Sequence, residues 1–322
     1  MKIQPVSIRE LSGRKDLRLS AANGIIGAEK EIFNSEINRP GLALAGFTGR
    51  FTPNRIQILG ETEYTYLASL SAEARVAASE HVLSFGVPCV IITKTLQPPR
   101  ELLEVADKYG TAVLITELTT DEFLRSLAEF LEPHFAPRES VHATLVDVYG
   151  IGLLVTGRSG IGKSETALDL VERGHRLVAD DLVSVYRMRQ GVLMGGGNEQ
   201  MQHYMEIRGI GIIDVPSLFG IRSIRIRKRV EVVIRLEEWD SKSVYERVGI
   251  EEQTTTILGV ELPYVVLPIV PGKNLTVVAE VIALNHLLKV VGKNSAAELN
   301  DRLIEAMRKS TANSIYDRED FE

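Results

Sequence analysis

The run Gly157-Arg158-Ser159-Gly160-Ile161-Gly162-Lys163-Ser164 constrains the fold of this chain more than any other stretch. Its spacing is G-x-x-x-x-G-K-[ST], in which the glycines let the backbone turn tightly enough to aim several N–H groups at one phosphate chain. The lysine then meets the outer phosphates and the hydroxyl a Mg2+ ion. The flanks fit this reading. Residues 152–156 form an apolar run that reads as a strand, and Ala167, Leu168, Leu170 and Val171 recur at helical spacing just after the loop. Strand, loop and helix is the order that brings a helix N-terminus to an anion. An α/β nucleotide-binding domain is expected here, with ATP and Mg2+ as its ligands.

The neighbouring stretches extend that expectation. Residues 141–148 alternate as a strand, Tyr149-Gly150 can turn, and an antiparallel hairpin with 152–156 returns His142 to the loop. A histidine there is either an exposed strand residue or a group that handles phosphate or protons. Beyond the helix, Gly174 acts as a stop and residues 176–181 read as a strand ending in Asp180 and Asp181. Strand, short helix and strand make a minimal crossover, which, if parallel, delivers both carboxylates to the sheet edge of the loop. Carboxylates at that edge bind Mg2+ or accept a proton from an attacking hydroxyl.

Farther on, residues 198–204 read as a helix, which puts Glu206 and Arg208 at a helix-to-strand boundary, as compatible with an ordinary turn as with a functional position. Residues 223–236 read as alternating strand with a solvated basic face, and Trp239, Tyr245 and Arg247 fall in a polar, loop-like segment. A strand at 264–270 leads into a sharp turn carrying Lys273. Two helical patterns follow, a strongly apolar one at 275–291 and a more amphipathic one at 296–309.

The first half has no phosphate fingerprint, metal-ligand spacing or triad-like cluster. Strand-like pieces at 55–59, 89–93 and 112–116 alternate with helical patterns at 72–84, 100–108 and 120–131, the signature of a parallel α/β sheet. No element is assigned before residue 54. Prolines at 133 and 137 break the periodicity, so the expected organisation is an N-terminal α/β regulatory or assembly domain at 1–132, a linker at 133–139 and the nucleotide-binding domain at 140–322. The formal net charge of -6 gives no reason to expect nucleic acid or an anionic membrane as a partner. The single Cys89 lies in an apolar run and reads as a buried thiol. No apolar run approaches the ~20 residues that span a bilayer and no signal-peptide pattern opens the sequence, so a cytoplasmic location is expected.

In combination, Val141-His142-Ala143-Thr144, the loop, the segment 174–181, the segment 206–214 and the segment 268–274 resemble one family, HPr kinase/phosphorylase. That bifunctional enzyme phosphorylates a serine of the phosphocarrier protein HPr and removes the phosphate again. The resemblance implies that Gly157, Arg158, Ser159, Gly160, Ile161, Gly162, Lys163 and Ser164 hold the ATP phosphates, with Ser164 and Glu206 on Mg2+. It makes His142, Lys163 and Arg247 active-site residues and favours Asp181 as the proton acceptor, with Asp180 as metal or hydrogen-bond partner. The residues by themselves do not separate the two aspartates.

Residues 206–214 are implied in both directions of the reaction. Pro268, Ile269, Val270, Pro271, Gly272 and Lys273 are implied mainly in dephosphorylation, with inorganic phosphate as co-substrate and pyrophosphate as product. A homohexamer, a C-terminal domain similar to the phosphoenolpyruvate carboxykinase type, and control of carbon metabolism and sugar uptake are further implications. The departures are Arg158, where many relatives carry an acid, and Lys273, where many carry arginine. A kinase of a small carboxylic acid and a non-catalytic nucleotide-sensing scaffold are the competing readings.

Overall fold

The chain divides into two units, Met1–Ala136 and Pro137–Glu322. The computed structural model describes residues 5–24, 26–198, 202–240, 253–270, 272–299 and 301–305. Tyr245, Arg247 and Pro271, three residues of interest in the sequence, lie outside the described residues.

In the first unit the three strand-like stretches become the parallel centre of a five-stranded sheet. Ala112–Thr116, Cys89–Ile92 and Ile56–Leu59 lie side by side, with Ile37–Asn38 parallel at one edge and Leu19–Ala21 antiparallel at the other. Every residue of Ile56–Leu59 and Cys89–Ile92 is buried, as expected of strands covered on both faces. Burial pushes the Cys89 thiol up to about 12, which keeps it protonated and inert. The helix Thr120–Phe135 opens on a capping box between Thr119 and Glu122. It runs about one turn past residue 131, through Pro133, so residues 133–135 are helical rather than linker. Phe130 and Phe135 pack against the core at this end, and that packing holds the last turn despite the proline.

The second unit contains, in chain order, β1 (Arg138–Val148), β2 (Ile151–Thr156), α1 (Lys163–Glu172), β3 (Arg176–Ala179), β4 (Leu182–Arg187), β5 (Leu193–Gly196), β6 (Tyr204–Ile207), β7 (Gly211–Asp214), β8 (Arg227–Arg229), β9 (Val232–Glu238), β10 (Thr254–Ile257), β11 (Val260–Ile269) and α2 (Leu275–Val290). Among the described residues, nine of these strands form one sheet in the order β8-β5-β4-β1-β2-β9-β11-β10, with β3 also paired to β1. The strands β2, β9 and β11 run parallel, and β1 runs antiparallel to β2. Period-two alternation divides the core. Leu153, Val155, Val232 and Ile234 pack beneath α1 and α2, while Leu154 and Val233 join the opposite cluster.

Two sequence expectations change here. Tyr204, expected to close a helix, instead starts β6, and Glu206 lies within that strand; Met205 and Ile207 are buried between exposed Tyr204 and Glu206, a strand alternation disguised by the glycines that follow. The basic run does not make one solvated strand. It breaks into β8 and β9, which are not neighbours, and its Lys228 is buried, donating to Glu231 at 2.6 Å. Arg225 pairs with the buried Asp147 at 2.7 Å. The helical pattern at 296–309 is helical wherever residues 296–305 are described, and its remainder lies outside them. Among the described residues no single helix is long and apolar enough to cross a membrane.

Candidate active site

The site grows from β1. On one side β2 pairs with it in a register that sets Ala143 opposite Thr156, so His142 lies level with the first residue of the glycine loop. Tyr149 and Gly150, both at positive φ, make the two-residue hairpin turn whose twist suits the pair. On the other side β3 and β4 run along β1 in turn, both antiparallel to it. Leu177 faces Val146 and Ala179 faces Leu145, a bulge at Val178; after Asp180 and Asp181 the pairing resumes with Leu182 opposite His142. Asp181 sits at φ 63, a left-handed conformation that aspartate tolerates better than most residues. A bulge followed by a left-handed residue re-aims side chains at the place where the sheet meets the loop. The crossover from β2 through α1 to β3 therefore skips β1, and it still brings both aspartates to the edge from which the loop springs.

Side chains close the gap. Asp180 accepts from the Thr144 hydroxyl at 2.6 Å and from the Ser164 hydroxyl at 3.1 Å. Burial raises its carboxyl above the usual range, against the opposing pull of those two hydroxyls. Asp181 and His142 are exposed beside it. The Lys163 ammonium lies across the loop, 3.2 Å from the Gly157 carbonyl oxygen and 3.3 Å from that of Arg158. Arg158 forms an exposed ion pair with Glu238 at the end of β9.

Gly160 sits at φ 77, a left-handed backbone that favours glycine, and the Arg208 guanidinium lies against the space a Cβ would occupy there. The turn between β6 and β7 therefore lays a second cation against the loop. Gly157 likewise passes so close to the Leu236 carbonyl oxygen that a Cβ would fall 2.8 Å from it.

The remaining expected residues are distributed as follows. Glu206 is exposed on β6, which lies against α1, and no hydrogen bond or ion pair joins it to Ser164 or Asp180. Pro268 and Ile269 end β11, opposite Glu237 and Glu238 of β9, and β9 in turn pairs its Arg235 with Thr156. Three parallel strands thus deliver the segment Val270, Gly272 and Lys273 to the same sheet edge as the loop, with Gly272 at φ 83 and the Lys273 amide donating to Val270 at 3.0 Å. Two contacts escape sequence reasoning: Thr144 on Asp180, which the sequence marks only as part of the segment 141–144, and Arg208 on Gly160.

These pieces can hold a phosphate chain on loop N–H groups and two cations, and present an exposed carboxylate beside it. Comparison with known proteins decides what kind of chain has this arrangement. The model of the HPr serine kinase N terminus matches residues 6–131, and that of the HPr serine kinase C-terminal domain residues 133–303. The chain belongs to the HPr serine kinase family.

The HPr kinase/phosphorylase of Chloroherpeton thalassium is 48% identical over 293 residues, 91% of this chain and 86% of that one. That of Leptospira biflexa is 42% identical over 303 residues, 94% of each. Among solved structures, the HPr(Ser) kinase/phosphatase of Coxiella burnetii is 34% identical, covering 50% of this chain and 98% of that chain, with a TM-score of 0.45. Membership of this family makes the chain a kinase/phosphorylase enzyme on a mixed α/β fold.

Proposed function

We propose that the enzyme transfers the γ-phosphoryl group of ATP to a serine of HPr and, in reverse, removes that phosphate by phosphorolysis. The observation that carries the reading is the hydroxyl–carboxylate pair Ser164–Asp180, 3.1 Å apart, set between a phosphate loop and an exposed second carboxylate. In the forward direction the serine oxygen attacks the γ-phosphorus, the bond to the β-phosphate oxygen breaks and ADP leaves. Asp181 takes the serine proton; its exposure suits contact with a protein substrate, whereas Asp180 is turned inward onto two hydroxyls. Lys163, Arg208 and the first N–H groups of α1 hold the charge that spreads over the phosphoryl oxygens.

In the reverse direction an oxygen of inorganic phosphate attacks the phosphoserine phosphorus, the bond to the serine oxygen breaks, and Asp181 returns the proton to that oxygen. The products are serine and pyrophosphate. Positioning and charge dominate phosphoryl transfer, so one site serves both directions.

The donor set also suits a divalent cation. Ser164 and Asp180 offer adjacent hard oxygens, and among the described residues no group of three or more His, Cys, Asp or Glu side chains could hold a metal by itself. Mg2+ favours such sparse protein ligation, completed by phosphate and water. When bound it would neutralise phosphate charge; Glu206 is the further ligand in this proposal, and His142 and Arg247 are active-site partners by family resemblance. Further parts of the reading are a homohexamer in the cytoplasm, a catalytic domain of the phosphoenolpyruvate carboxykinase type, and control of carbon metabolism through HPr.

The test is to incubate the protein with Mg-ATP and HPr and map the label by mass spectrometry. Phosphoserine is the expected product; phosphohistidine, or no label, contradicts the reading.

A further inference from the structure

The helix that begins in the glycine loop and the helix that follows the segment 268–273 are joined by two polar rungs. Asp169 of α1 accepts from the Thr276 hydroxyl of α2 at 3.3 Å. One turn on, Glu280 of α2 accepts from Arg173, just past α1, through Nε at 2.9 Å and Nη2 at 2.7 Å. His175 Nε2 lies 3.0 Å from the same carboxylate, and the Tyr149 ring meets His175 edge-on with centroids 4.7 Å apart. Thr276, Glu280 and His175 are all buried.

The geometry of the rungs says what they control. Residues 169 and 173 meet 276 and 280 in the same order, so the two helices run in the same direction, four residues per rung on each. Lys273 lies two residues before α2, just past the strand β11 that runs to the sheet edge of the loop. Asn274 caps α2, its side chain accepting from the Val277 amide at 3.1 Å, so a single capping residue separates Lys273 from the helix. A slide of α2 along α1 carries Lys273, tied to it through Asn274, relative to the phosphate cradle. Close apolar packing around Ala279 and Ala283 opposes such a slide but is non-directional. A guanidinium gripping a carboxylate with two parallel bonds fixes register instead, which is the best-attested use of buried ion pairs.

We propose that Thr276 and Glu280 are positioning residues for the phosphate-consuming direction: they set the register of α2 on α1 and thereby hold Lys273 at the distance from the loop that inorganic phosphate requires. This rests on the phosphorolysis reading above and on the family resemblance that implies a role for residues 268–273 in dephosphorylation. The forward direction uses Lys163, Asp181 and the loop, none of which α2 carries, so the rungs affect the two directions unequally.

The experiment compares wild type with the near-isosteric Glu280→Gln and Thr276→Val, with Glu280→Asp, which keeps the charge on a shorter side chain, and with Arg225→Met as a control. Arg225 makes an ion pair with a buried aspartate in the same unit and touches neither helix through it. For Glu280→Gln the expected result is a KM for inorganic phosphate raised about 5- to 10-fold, with forward kcat and the KM for ATP within about twofold of wild type. Thr276→Val shifts the same way by less, and Glu280→Asp recovers part of the loss. Arg225→Met lowers the melting temperature without separating the two directions.

A parallel fall in both directions, or an unchanged phosphate KM in a folded Glu280→Gln protein, overturns the proposal. A wild-type protein that makes no pyrophosphate would instead overturn the phosphorolysis reading. Calorimetric affinity for inorganic phosphate, wild type against Glu280→Gln, then decides the positioning role: weaker phosphate binding in the variant supports it and equal binding overturns it.

Discussion

The two ends of the helix Lys163–Glu172 treat a carboxylate in opposite ways. At its start the half-buried Asp180 accepts from two hydroxyls, and desolvation holds its carboxyl above the usual range. At its far end Glu280 meets the Arg173 guanidinium, whose hydrogen bonds draw its carboxyl below the usual range, with His175 adding to the effect. Stability alone would treat both alike. A carboxylate drawn from solvent with no cation beside it costs folding free energy, and groups perturbed in this way cluster at functional sites. The far end shows that this fold can pair a buried acid fully, and in the proposed function the acid without such a partner stands at the reaction centre.

The largest effect that would break this contrast is catalytic. Asp181→Asn should lower transfer in both directions about a thousandfold while retaining binding of a non-hydrolysable ATP analogue, and Lys163→Ala should weaken binding and transfer together. Loss of both functions in Asp181→Asn would make the aspartate a structural or binding group instead.

Next comes the far end. Glu280→Leu leaves Arg173 and His175 without their partner and should lower the melting temperature by roughly 5 °C at neutral pH. The sign with pH follows from the lowered carboxyl. Its contribution is complete above the ordinary value of 4.5 and disappears as pH falls through the lower folded value, so the gap between wild type and variant should close only in acid below that range. A gap that widened on acidification would contradict the pairing.

Asp180→Asn should move the melting temperature the other way, upward by about 2 °C, while transfer is lost. Here the folded value is raised, so the cost is present at neutral pH and is relieved as pH falls through it towards the ordinary 3.8. The advantage of the variant should therefore vanish on acidification. A lower melting temperature for Asp180→Asn would mean that the two ends do not differ in kind. The smallest effect is Lys273→Arg, whose planar fork should lower the KM for phosphate about threefold in the reverse assay.

The loop end of this contrast was legible in the sequence, and the reasons are local. The loop and its flanking strand and helix were readable because glycine spacing and two periodicities coincide within twenty or so residues. The hairpin that returns His142, and the crossover that returns Asp180 and Asp181, follow from element lengths. The parallel centre of the first unit was readable from short, wholly apolar runs such as Cys89–Ile92.

What escaped depends on tertiary partners. Ile37–Asn38 and Leu19–Ala21 are too short to show any period, and only their neighbours make them strands. The hairpin of Tyr204–Ile207 and Gly211–Asp214 hid behind its glycines, so Arg208 gave no sign that it would lie on Gly160. The basic run misled because charge pattern does not say where a chain changes strand, and Lys228 is buried by a turn to Glu231. The rungs of Thr276 and Glu280 could not be read at all, since both lie in a stretch whose sequence signal is simply an apolar helix.

The central claim is that one loop serves ATP in one direction and inorganic phosphate in the other. It is tested most directly by titrating phosphate against Mg-ATP with HPr present, while following phosphoserine and pyrophosphate together. The account predicts that phosphoserine forms first and then disappears as phosphate rises, with one pyrophosphate made for each phosphoserine lost. Loss of phosphoserine with release of free phosphate and no pyrophosphate would show hydrolysis at a different centre and contradict it.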